Sequence, residues 1–245
     1  TMKNEAIKSR RSFLKTAAKG AMIAAVAPAT LKAEITVPEI IPESVKGAND
    51  RIRIAVLGVN GRGVNHYQEI MGLSETANVE VAALCDPDME ILQKRAKEFE
   101  EKYGKKITIE QDFRKTYDDK AIDAITLATP NHWHALQTIW ACQAGKDVYV
   151  EKPATHNIYE GKKMIEAAYK YNRIVQHGVQ LRSSVAINEA IQHLRDGLIG
   201  RVYMSRGLVY RWRPDIGNKG ISPTPPGLDY DLWCGPAPMD TLRRN

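Results

Sequence analysis

The stretch that most constrains this chain is a run of mostly apolar residues followed at once by glycines, at residues 51–63. Its first half is short-chained and partly β-branched, which is typical of a strand buried on both faces. Gly58, Gly61 and Gly63 follow, and residues 64–71 are a predicted helix. A strand, a glycine turn and a helix in this order direct backbone N–H groups and a helix N-terminus to one point, where a pyrophosphate can bind.

The glycine pattern matches the dinucleotide fingerprint G-x-G-x-x-G incompletely. Gly58 and Gly63 take the first and third positions, and Asn60 takes the second. Asparagine is the best replacement for glycine there because it tolerates unusual backbone dihedral angles. The same pattern also occurs as an ordinary turn between a strand and a helix, so by itself it leaves nucleotide binding and a plain turn both open.

Composition excludes several classes of protein. The chain has 245 residues, 43% hydrophobic and 26% charged, which is ordinary for a globular protein of one or two domains. The net charge of +6 comes in part from the first twenty residues, and no basic stripe interleaved with aromatic residues predicts nucleic-acid binding. The cysteines lie far apart without a C-x-x-C pair, which argues against a zinc site or a disulfide framework. Cys85 and Cys142 are expected in the core, and Trp212 and Trp233 are expected to pack.

The N-terminal region resembles a targeting segment. Residues 9–15, Ser-Arg-Arg-Ser-Phe-Leu-Lys, match the twin-arginine export pattern at every position, and a weakly apolar, alanine-rich run follows at residues 16–29. Residues 1–33 are therefore predicted to be a twin-arginine signal that carries the folded protein through the translocase to the periplasm. The alternative is a basic amphipathic helix at the surface. Residues 34–49 are predicted to be a linker.

A second buried strand is predicted at residues 78–85, and it ends in Asp86-Pro87-Asp88. An acidic residue at this point can bind both hydroxyls of an adenosine ribose, and it repels the 2′-phosphate of NADP. Asp86 lies further along the chain from Gly58 than the roughly 20 residues typical of the motif. A loop at residues 72–77 accounts for the extra residues. Asp88 is the better N-cap for the next predicted helix, residues 89–103, which leaves Asp86 free for the ribose. The charges of that helix are interpreted as a solvated face.

Strands and helices continue to alternate, which predicts a doubly wound α/β fold. Strands are predicted at residues 107–109, 121–128, 147–150 and 173–179, and helices at residues 113–119, 135–144, 158–171 and 185–197. Polar clusters follow two of these strands, Thr-Pro-Asn-His-Trp-His at residues 129–134 and Glu-Lys-Pro at residues 151–153. Ligands bind at the carboxyl ends of strands in such sheets, so both clusters are candidate site residues. His132 and His134 are two positions apart and point in different directions on a helix, so no metal site is predicted there.

The last quarter of the chain has a different pattern. Residues 202–213 indicate a longer strand of a second sheet. Residues 214–245 are rich in proline and glycine and are predicted to be an extended loop. Gln180 and Arg182 follow a predicted strand, and their side chains are candidates either for a substrate pocket or for a structural role.

Taken in order, these motifs resemble the Gfo/Idh/MocA oxidoreductases, and in particular the bacterial members exported by the twin-arginine route. The resemblance is carried by the glycine turn, the Cys-Asp pair that ends the second strand, Thr-Pro-Asn-x-x-His and Glu-Lys-Pro. It extends from residue 51 to about residue 240 through Gly-Leu-Asp-Tyr-Asp-Leu-Trp at residues 227–233. It implies a Rossmann-type NAD(P)-binding domain at residues 50–178. It also implies that residues 179–245 begin an α+β substrate domain with a large, mostly antiparallel sheet.

The resemblance also implies an activity, which is hydride transfer between NAD or NADP and a hydroxyl or ketone of a sugar or cyclitol. It assigns cofactor contacts residue by residue. The residues around the pyrophosphate are Gly58, Asn60, Gly61, Arg62 and Gly63. Asp86 is implied to hold the adenine ribose and to favour NAD over NADP. The residues along the nicotinamide and its ribose are Thr129, Pro130, Asn131, His134 and Glu151.

Lys152 is the candidate catalytic residue. When hydride leaves a carbinol carbon, a proton must leave its oxygen, and a cation beside that oxygen stabilises the developing alkoxide and can relay the proton. A lysine before a proline is, in isolation, more often a surface residue. Together with the other motifs of the family resemblance, however, Lys152 is interpreted as catalytic.

The family's Asp and His acid–base pair comes from the second domain, downstream of residue 245, so the chain is expected to be a C-terminally truncated fragment. The full-length protein is expected to form a homo-oligomer. Two other functions stay open: a glycosidase that uses tightly held NAD for transient oxidation and elimination, and a non-catalytic nucleotide-binding protein. The sequence leaves open the substrate, the oligomeric state and whether the NAD exchanges.

Overall fold

A computed structural model of the chain describes residues 51–215, 217 and 220–243. The predicted export segment and linker, residues 1–33 and 34–49, lie outside the described residues. The strands are β1 (Ile52–Leu57), β2 (Val79–Cys85), β3 (Thr108–Glu110), β4 (Ala124–Leu127), β5 (Asp147–Glu151) and β6 (Val175–Gly178). The α-helices are α1 (Gly63–Gly72), α2 (Ser74–Ala77), α3 (Met89–Tyr103), α4 (Arg114–Asp118), α5 (Asn131–Gln143), α6 (Ile158–Lys170), α7 (Val185–Arg195) and α8 (Tyr230–Cys234), with a 3₁₀ turn at Gln180–Ser183.

The six strands form one parallel sheet in the order β3-β2-β1-β4-β5-β6. Helices connect successive strands, as a parallel sheet requires. The order reverses between β1 and β4, so loops leave the sheet in opposite directions there and open a crevice beyond the carboxyl ends of the strands. The predicted doubly wound, Rossmann-type α/β fold is confirmed.

The core lies on both faces of the sheet. Val56 is fully buried in a cluster with Leu92 of α3, whereas its neighbours Ala55 and Leu57 are buried in a second cluster with Trp133 of α5. Successive side chains of a strand point to opposite faces, so β1 contributes to both clusters. Full burial of a side chain of the size of Val56, Leu57 or Leu92 stabilises the fold by roughly 1.5–3 kcal/mol. This two-sided burial explains why β1 is apolar almost throughout.

The described part of the chain after β6 corrects two predictions. The strand predicted at residues 202–213 is wrong, because these residues have no regular secondary structure and are exposed. Among the described residues no strand lies beside them, and an extended segment without a partner leaves its backbone groups to water. Trp212 is 83% exposed, so the prediction that it packs is also wrong.

Residues 214–245 were expected to be an extended loop throughout, and helix α8 corrects that expectation. The Asp229 carboxylate caps α8 by accepting the Leu232 N–H at 2.8 Å. Helix α5 also begins four residues earlier than predicted, at Asn131. Pro130 directly precedes it, and proline is compatible with a helix N-terminus because the missing N–H has no helical partner there. Among residues 51–215, 217 and 220–243, no helix has the length and apolarity that crossing a bilayer requires.

Candidate functional site

The glycine turn between β1 and α1 is set by steric contacts. Gly58 has a φ of +84°, and a Cβ atom there would lie 2.6 Å from the carbonyl carbon and oxygen of Ala128. A Cβ at Gly63 would overlap the carbonyl oxygen of Gly58, whereas Gly61 has no atom within 4 Å of that position. Gly58 and Gly63 are therefore required by the close approach of β1, α1 and the loop after β4. Helix α1 begins at this turn without a side-chain cap, which leaves its N-terminus available to an anion.

Arg95 of α3 braces the turn from outside. Its Nε donates to the Val59 carbonyl at 3.1 Å, and a terminal nitrogen donates to the Asn60 carbonyl at 3.3 Å. The prediction that the charges of this helix form only a solvated face is wrong for Arg95, whose side chain is 17% exposed. The sequence held one signal of this role: Arg95 is an arginine among lysines and glutamates. A guanidinium can donate to several carbonyls at once, which suits it to bracing a turn.

Asp86, at the end of β2, is held by the backbone. One carboxylate oxygen accepts the Val59 N–H at 2.9 Å and the other accepts the Asp88 N–H at 3.1 Å. These bonds tie Asp86 to the backbone, but a carboxylate with two such bonds keeps further acceptor sites, so its contact with a ribose stays a prediction. Burial raises the pKa of Asp86, and the two backbone hydrogen bonds oppose that rise. Asp88 caps α3 by accepting the N–H groups of Glu90 and Ile91, which confirms its predicted role.

A cleft of about 860 Å³ lies over this part of the sheet edge. It brings together several of the residues predicted to bind the cofactor, namely Gly58, Asn60, Gly61, Asp86, Thr129 and Pro130. The cleft is also lined by Pro87 and Asp88, next to Asp86, and by Leu228, Tyr230 and Trp233. The cleft therefore joins the glycine turn to the acidic end of β2.

Glu151, at the end of β5, is the centre of a second cluster. Its carboxylate accepts the Arg62 Nε–H at 3.0 Å, lies 3.1 Å from His66 Nε2, and is 3.2 Å from the amide nitrogen of Gln180. The Lys152 N–H also donates to it, at 3.3 Å. Burial acts to raise the pKa of Glu151, but the hydrogen bonds from Arg62 and His66 outweigh it and the pKa lies below its ordinary value. A carboxylate whose ionised form is favoured thus joins the glycine turn to the end of β5.

His66 is a member of this cluster that the sequence reasoning missed. It is 5% exposed and meets the ring of Tyr149 edge-on, with 5.3 Å between the centroids. Within the described residues its Nδ1 has no hydrogen-bond partner. The signal in the sequence was a polar residue one helical turn after Gly63, on the face of α1 that packs on the sheet.

His134 holds two loops together. One ring nitrogen lies 2.6 Å from the Pro153 carbonyl and the other 2.8 Å from the Thr129 carbonyl, and the side chain is 1% exposed. A carbonyl oxygen only accepts hydrogen bonds, so a ring N–H of His134 is the donor. His134 was predicted to lie along the nicotinamide ribose; in this structure both of its nitrogens are engaged with backbone. The Thr129 hydroxyl is likewise engaged, and it donates to Gln137 at 2.7 Å.

Three predicted site residues lie at the surface. Lys152 is exposed immediately after Glu151, Asn131 is exposed in the first turn of α5, and Arg182 is exposed in the 3₁₀ turn after β6. Among the described residues no cluster of His, Cys, Asp and Glu could hold a metal ion. Cys85 and Cys142 are buried in the core, as predicted.

Comparison with known proteins gives the context of this geometry. The Gfo/Idh/MocA family model, described as an oxidoreductase family with an NAD-binding Rossmann fold, matches residues 52–179. Levoglucosan dehydrogenase of Pseudarthrobacter phenanthrenivorans is 34% identical over 105 residues, which cover 42% of this chain and 27% of that protein. A glycosyl hydrolase family 109 protein of Shewanella sp. strain W3-18-1 is 25% identical over 172 residues, which cover 65% of this chain and 36% of that protein.

A solved structure is similar as well. The WlbA dehydrogenase from Bordetella pertussis, crystallised in complex with NADH and UDP-GlcNAcA, matches with a TM-score of 0.55 and 26% identity, over 63% of this chain and 42% of that one. The chain spans less than half of the length of each of these proteins. Because the family model matches more than half of the chain, the chain belongs to the Gfo/Idh/MocA oxidoreductases, with an NAD-binding Rossmann fold.

Proposed function

We propose that this protein is an NAD-dependent oxidoreductase that transfers hydride between the nicotinamide and a hydroxyl or ketone of a sugar-like or cyclitol-like substrate. The observation that carries the proposal is the cleft that joins the glycine turn to Asp86. Gly61 lines this cleft, and the position of a Cβ atom on it has no atom within 4 Å, which leaves room for the close approach of a pyrophosphate. Levoglucosan is a sugar derivative, and UDP-GlcNAcA contains a sugar acid, so the relatives support the substrate class.

The residues that would hold the cofactor divide between the two clusters. The glycine turn and the start of α1 face the pyrophosphate, and Asp86 accepts hydrogen bonds from the adenine ribose. The carboxylate at this position favours NAD, because it repels the 2′-phosphate of NADP. Glu151, fixed by Arg62 and His66, sets the position of the loop at the nicotinamide end.

The bound nicotinamide supplies a hydride acceptor or donor. The chain itself contributes Lys152, which is exposed at the carboxyl end of β5 and available to the substrate oxygen. Its ammonium stabilises an alkoxide there and can carry the proton to or from that oxygen. Gln180 is tied to Glu151, so it orients the end of β5, and Arg182 is the candidate contact to the substrate's outer polar groups.

The first test is binding and turnover. NADH is titrated into the purified chain with protein-to-NADH fluorescence transfer as the signal, and oxidation of sugars and cyclitols is followed by NADH absorbance. We expect saturable NADH binding, with weaker binding of NADPH, and loss of turnover by about 10²–10⁴-fold in Lys152→Met with binding retained. Absence of NADH binding by a folded chain would refute the proposal, and binding without turnover in any form of the protein would leave a nucleotide-binding protein without this chemistry.

A second candidate function is a glycosidase that oxidises its substrate transiently, eliminates the aglycone and returns the hydride. The similarity to a glycosyl hydrolase family 109 protein over 65% of this chain favours it. The two functions differ in the fate of the cofactor. Accumulation of NADH in step with product indicates a dehydrogenase, and glycoside cleavage without net NADH indicates the glycosidase.

Export through the twin-arginine translocase and periplasmic location are proposals that rest on residues 9–15. Fusion of residues 1–33 to a reporter that is active only after export tests them, with Arg10→Lys and Arg11→Lys combined as the control. Reporter activity that persists in the double variant would contradict twin-arginine export. Homo-oligomer formation by the full-length protein is likewise proposed, and light scattering at several protein concentrations measures it.

A further inference from the structure

Residues 225–243, called the clasp below, fold back onto the carboxyl edge of the sheet. The Gly227 carbonyl accepts the Met89 N–H at 3.0 Å and the side-chain amide of Gln111 at 2.7 Å. The Asp229 N–H donates to the Pro87 carbonyl at 2.9 Å. These bonds fix the start of the clasp beside the loop that follows β2, next to the acidic end of that strand.

A second set of bonds fixes the clasp to α5. The indole N–H of Trp133 donates to the Leu232 carbonyl at 3.0 Å, and His132 Nε2 lies 3.0 Å from the Trp233 carbonyl. Cys234 is 4% exposed. Short helix α8 is therefore held from two sides, and the position of its side chains is set by the Rossmann core.

Held in this way, the clasp presents two aromatic rings to the cleft. Tyr230 and Trp233 lie nearly parallel, at 14°, with 5.9 Å between their centroids, and both line the cleft. Trp233 is 41% exposed despite its fixed backbone. The Tyr230 hydroxyl donates to the Asp240 carbonyl at 3.0 Å, so its phenol end is already satisfied. A large ring that is anchored but not covered is a stacking surface for another planar group.

We propose that the clasp binds the adenine ring of the dinucleotide by stacking on Tyr230 and Trp233, and that it slows release of the cofactor. The inference rests on the proposed function, because it names the part of the same cleft that takes the adenosine. The occupant follows from the rest of the cleft. Asp86 offers acceptors for ribose hydroxyls and the glycine turn offers donors for phosphate, so the planar part of the same molecule lies against the remaining, aromatic wall.

The test compares Trp233→Leu with Trp212→Leu in the full chain. Trp212 is 83% exposed and lies in a segment without regular structure, so it is the matched control for loss of an indole. Equilibrium titration and stopped-flow displacement are carried out with NADH and with ADP-ribose, which lacks the nicotinamide. We expect Trp233→Leu to weaken both ligands by the same factor, about tenfold, through faster dissociation. Trp233→Phe, which keeps a ring, is expected to restore most of the affinity, and Trp212→Leu to match the wild type.

The outcomes separate the two proposals. Equal dissociation rates of both ligands from the wild type and from Trp233→Leu would overturn the clasp and leave the oxidoreductase proposal intact. Binding of ADP-ribose but not of NADH by the wild type would refute the oxidoreductase, and the effect of Trp233→Leu on ADP-ribose would still decide the clasp. Binding of neither ligand would overturn both. Circular dichroism and thermal unfolding of each variant show that a weakened site belongs to a folded chain; if Trp233→Leu does not fold, the decision rests on Tyr230→Leu in the same assays.

Discussion

Gly58 offers the sharpest test of the glycine turn, because two separate costs meet at one residue. Its φ of +84° lies in the left-handed region, where a residue with a Cβ costs about 1–2 kcal/mol. An alanine Cβ would also lie 2.6 Å from the carbonyl group of Ala128 and 2.7 Å from the Thr129 nitrogen. Both are backbone atoms at the end of β4 and cannot rotate away, so overpacking adds about 1–3 kcal/mol. Gly58→Ala is therefore expected to lower the free energy of unfolding by about 2–5 kcal/mol.

Thermal and urea unfolding, followed by circular dichroism, measure this loss. For a domain of this size it corresponds to a decrease in melting temperature of roughly 5–20 °C. Gly61→Ala is the matched control in the same turn, because its Cβ meets no atom within 4 Å. It is expected to change the free energy of unfolding by less than about 0.5 kcal/mol.

Each outcome has a clear meaning for the turn. If Gly58→Ala unfolds at the same temperature as Gly61→Ala, the close contact between β1 and the loop after β4 does not exist and the reasoning is refuted. If Gly61→Ala is the more destabilised of the two, then Gly61, and not Gly58, is the glycine that lies against neighbouring backbone. NADH titration of Gly61→Ala then shows whether the open space at Gly61 belongs to the cofactor, since a new methyl group there weakens binding without loss of stability.

Three further outcomes follow from the structure. Asp88→Ala removes the cap of α3 and is expected to lower the free energy of unfolding by about 1 kcal/mol, measured from the urea midpoint. The pKa of Glu151 lies below its ordinary value of 4.5 in the folded chain, so its ionised form stabilises the fold above that pH, and this stabilisation is lost as the pH falls through the lowered pKa. The free energy of unfolding of the wild type should therefore fall more steeply than that of Glu151→Gln on acidification below about pH 5. Parallel plots of the free energy of unfolding against pH for the two proteins would contradict the Glu151 cluster. Burial raises the pKa of Cys142 to about 11 and that of Cys85 well above its usual range, so iodoacetamide at pH 8 should alkylate them only in urea; rapid labelling of the native chain would show that the core is open.

The fold could be predicted from the sequence because its signals are local. Apolar runs the length of a strand, each followed by glycine or polar residues, predicted β1, β2, β4 and β5, and the alternation with helices predicted the parallel sheet. Asp88 as the cap of α3 needed only the residues next to it. The strand predicted at residues 202–213 failed because a strand depends on a neighbour, and the local alternation of residue types carries no information about that neighbour.

The contacts within the site could not be predicted, because they join residues far apart in the chain. Glu151 was placed at the end of a strand, but nothing near it in sequence identifies His66, 85 positions earlier, as its partner. Arg95 likewise reaches Val59 across 36 positions. The clasp is the extreme case, since Gln111 and Gly227 are 116 positions apart. The motifs predict where polar groups gather at the sheet edge, and only the packing of the helices decides which groups meet.

Glu151 and Lys152 are neighbours at the end of β5, but the first is buried and the second is exposed, so they suit different roles. A general base must have a pKa near the working pH, and the pKa of Glu151 is held below its ordinary value by the donors around it, so this carboxylate is suited to fixing the turn and unsuited to exchanging protons. Successive residues at a strand end point in opposite directions, which buries Glu151 among Arg62 and His66 and exposes Lys152. Under the proposed function, the buried Glu151 therefore fixes the backbone that positions Lys152, the residue proposed to carry the proton. Glu151→Gln should accordingly misplace Lys152 and reduce turnover, while Lys152→Met should leave the Glu151 cluster and the stability of the chain unchanged.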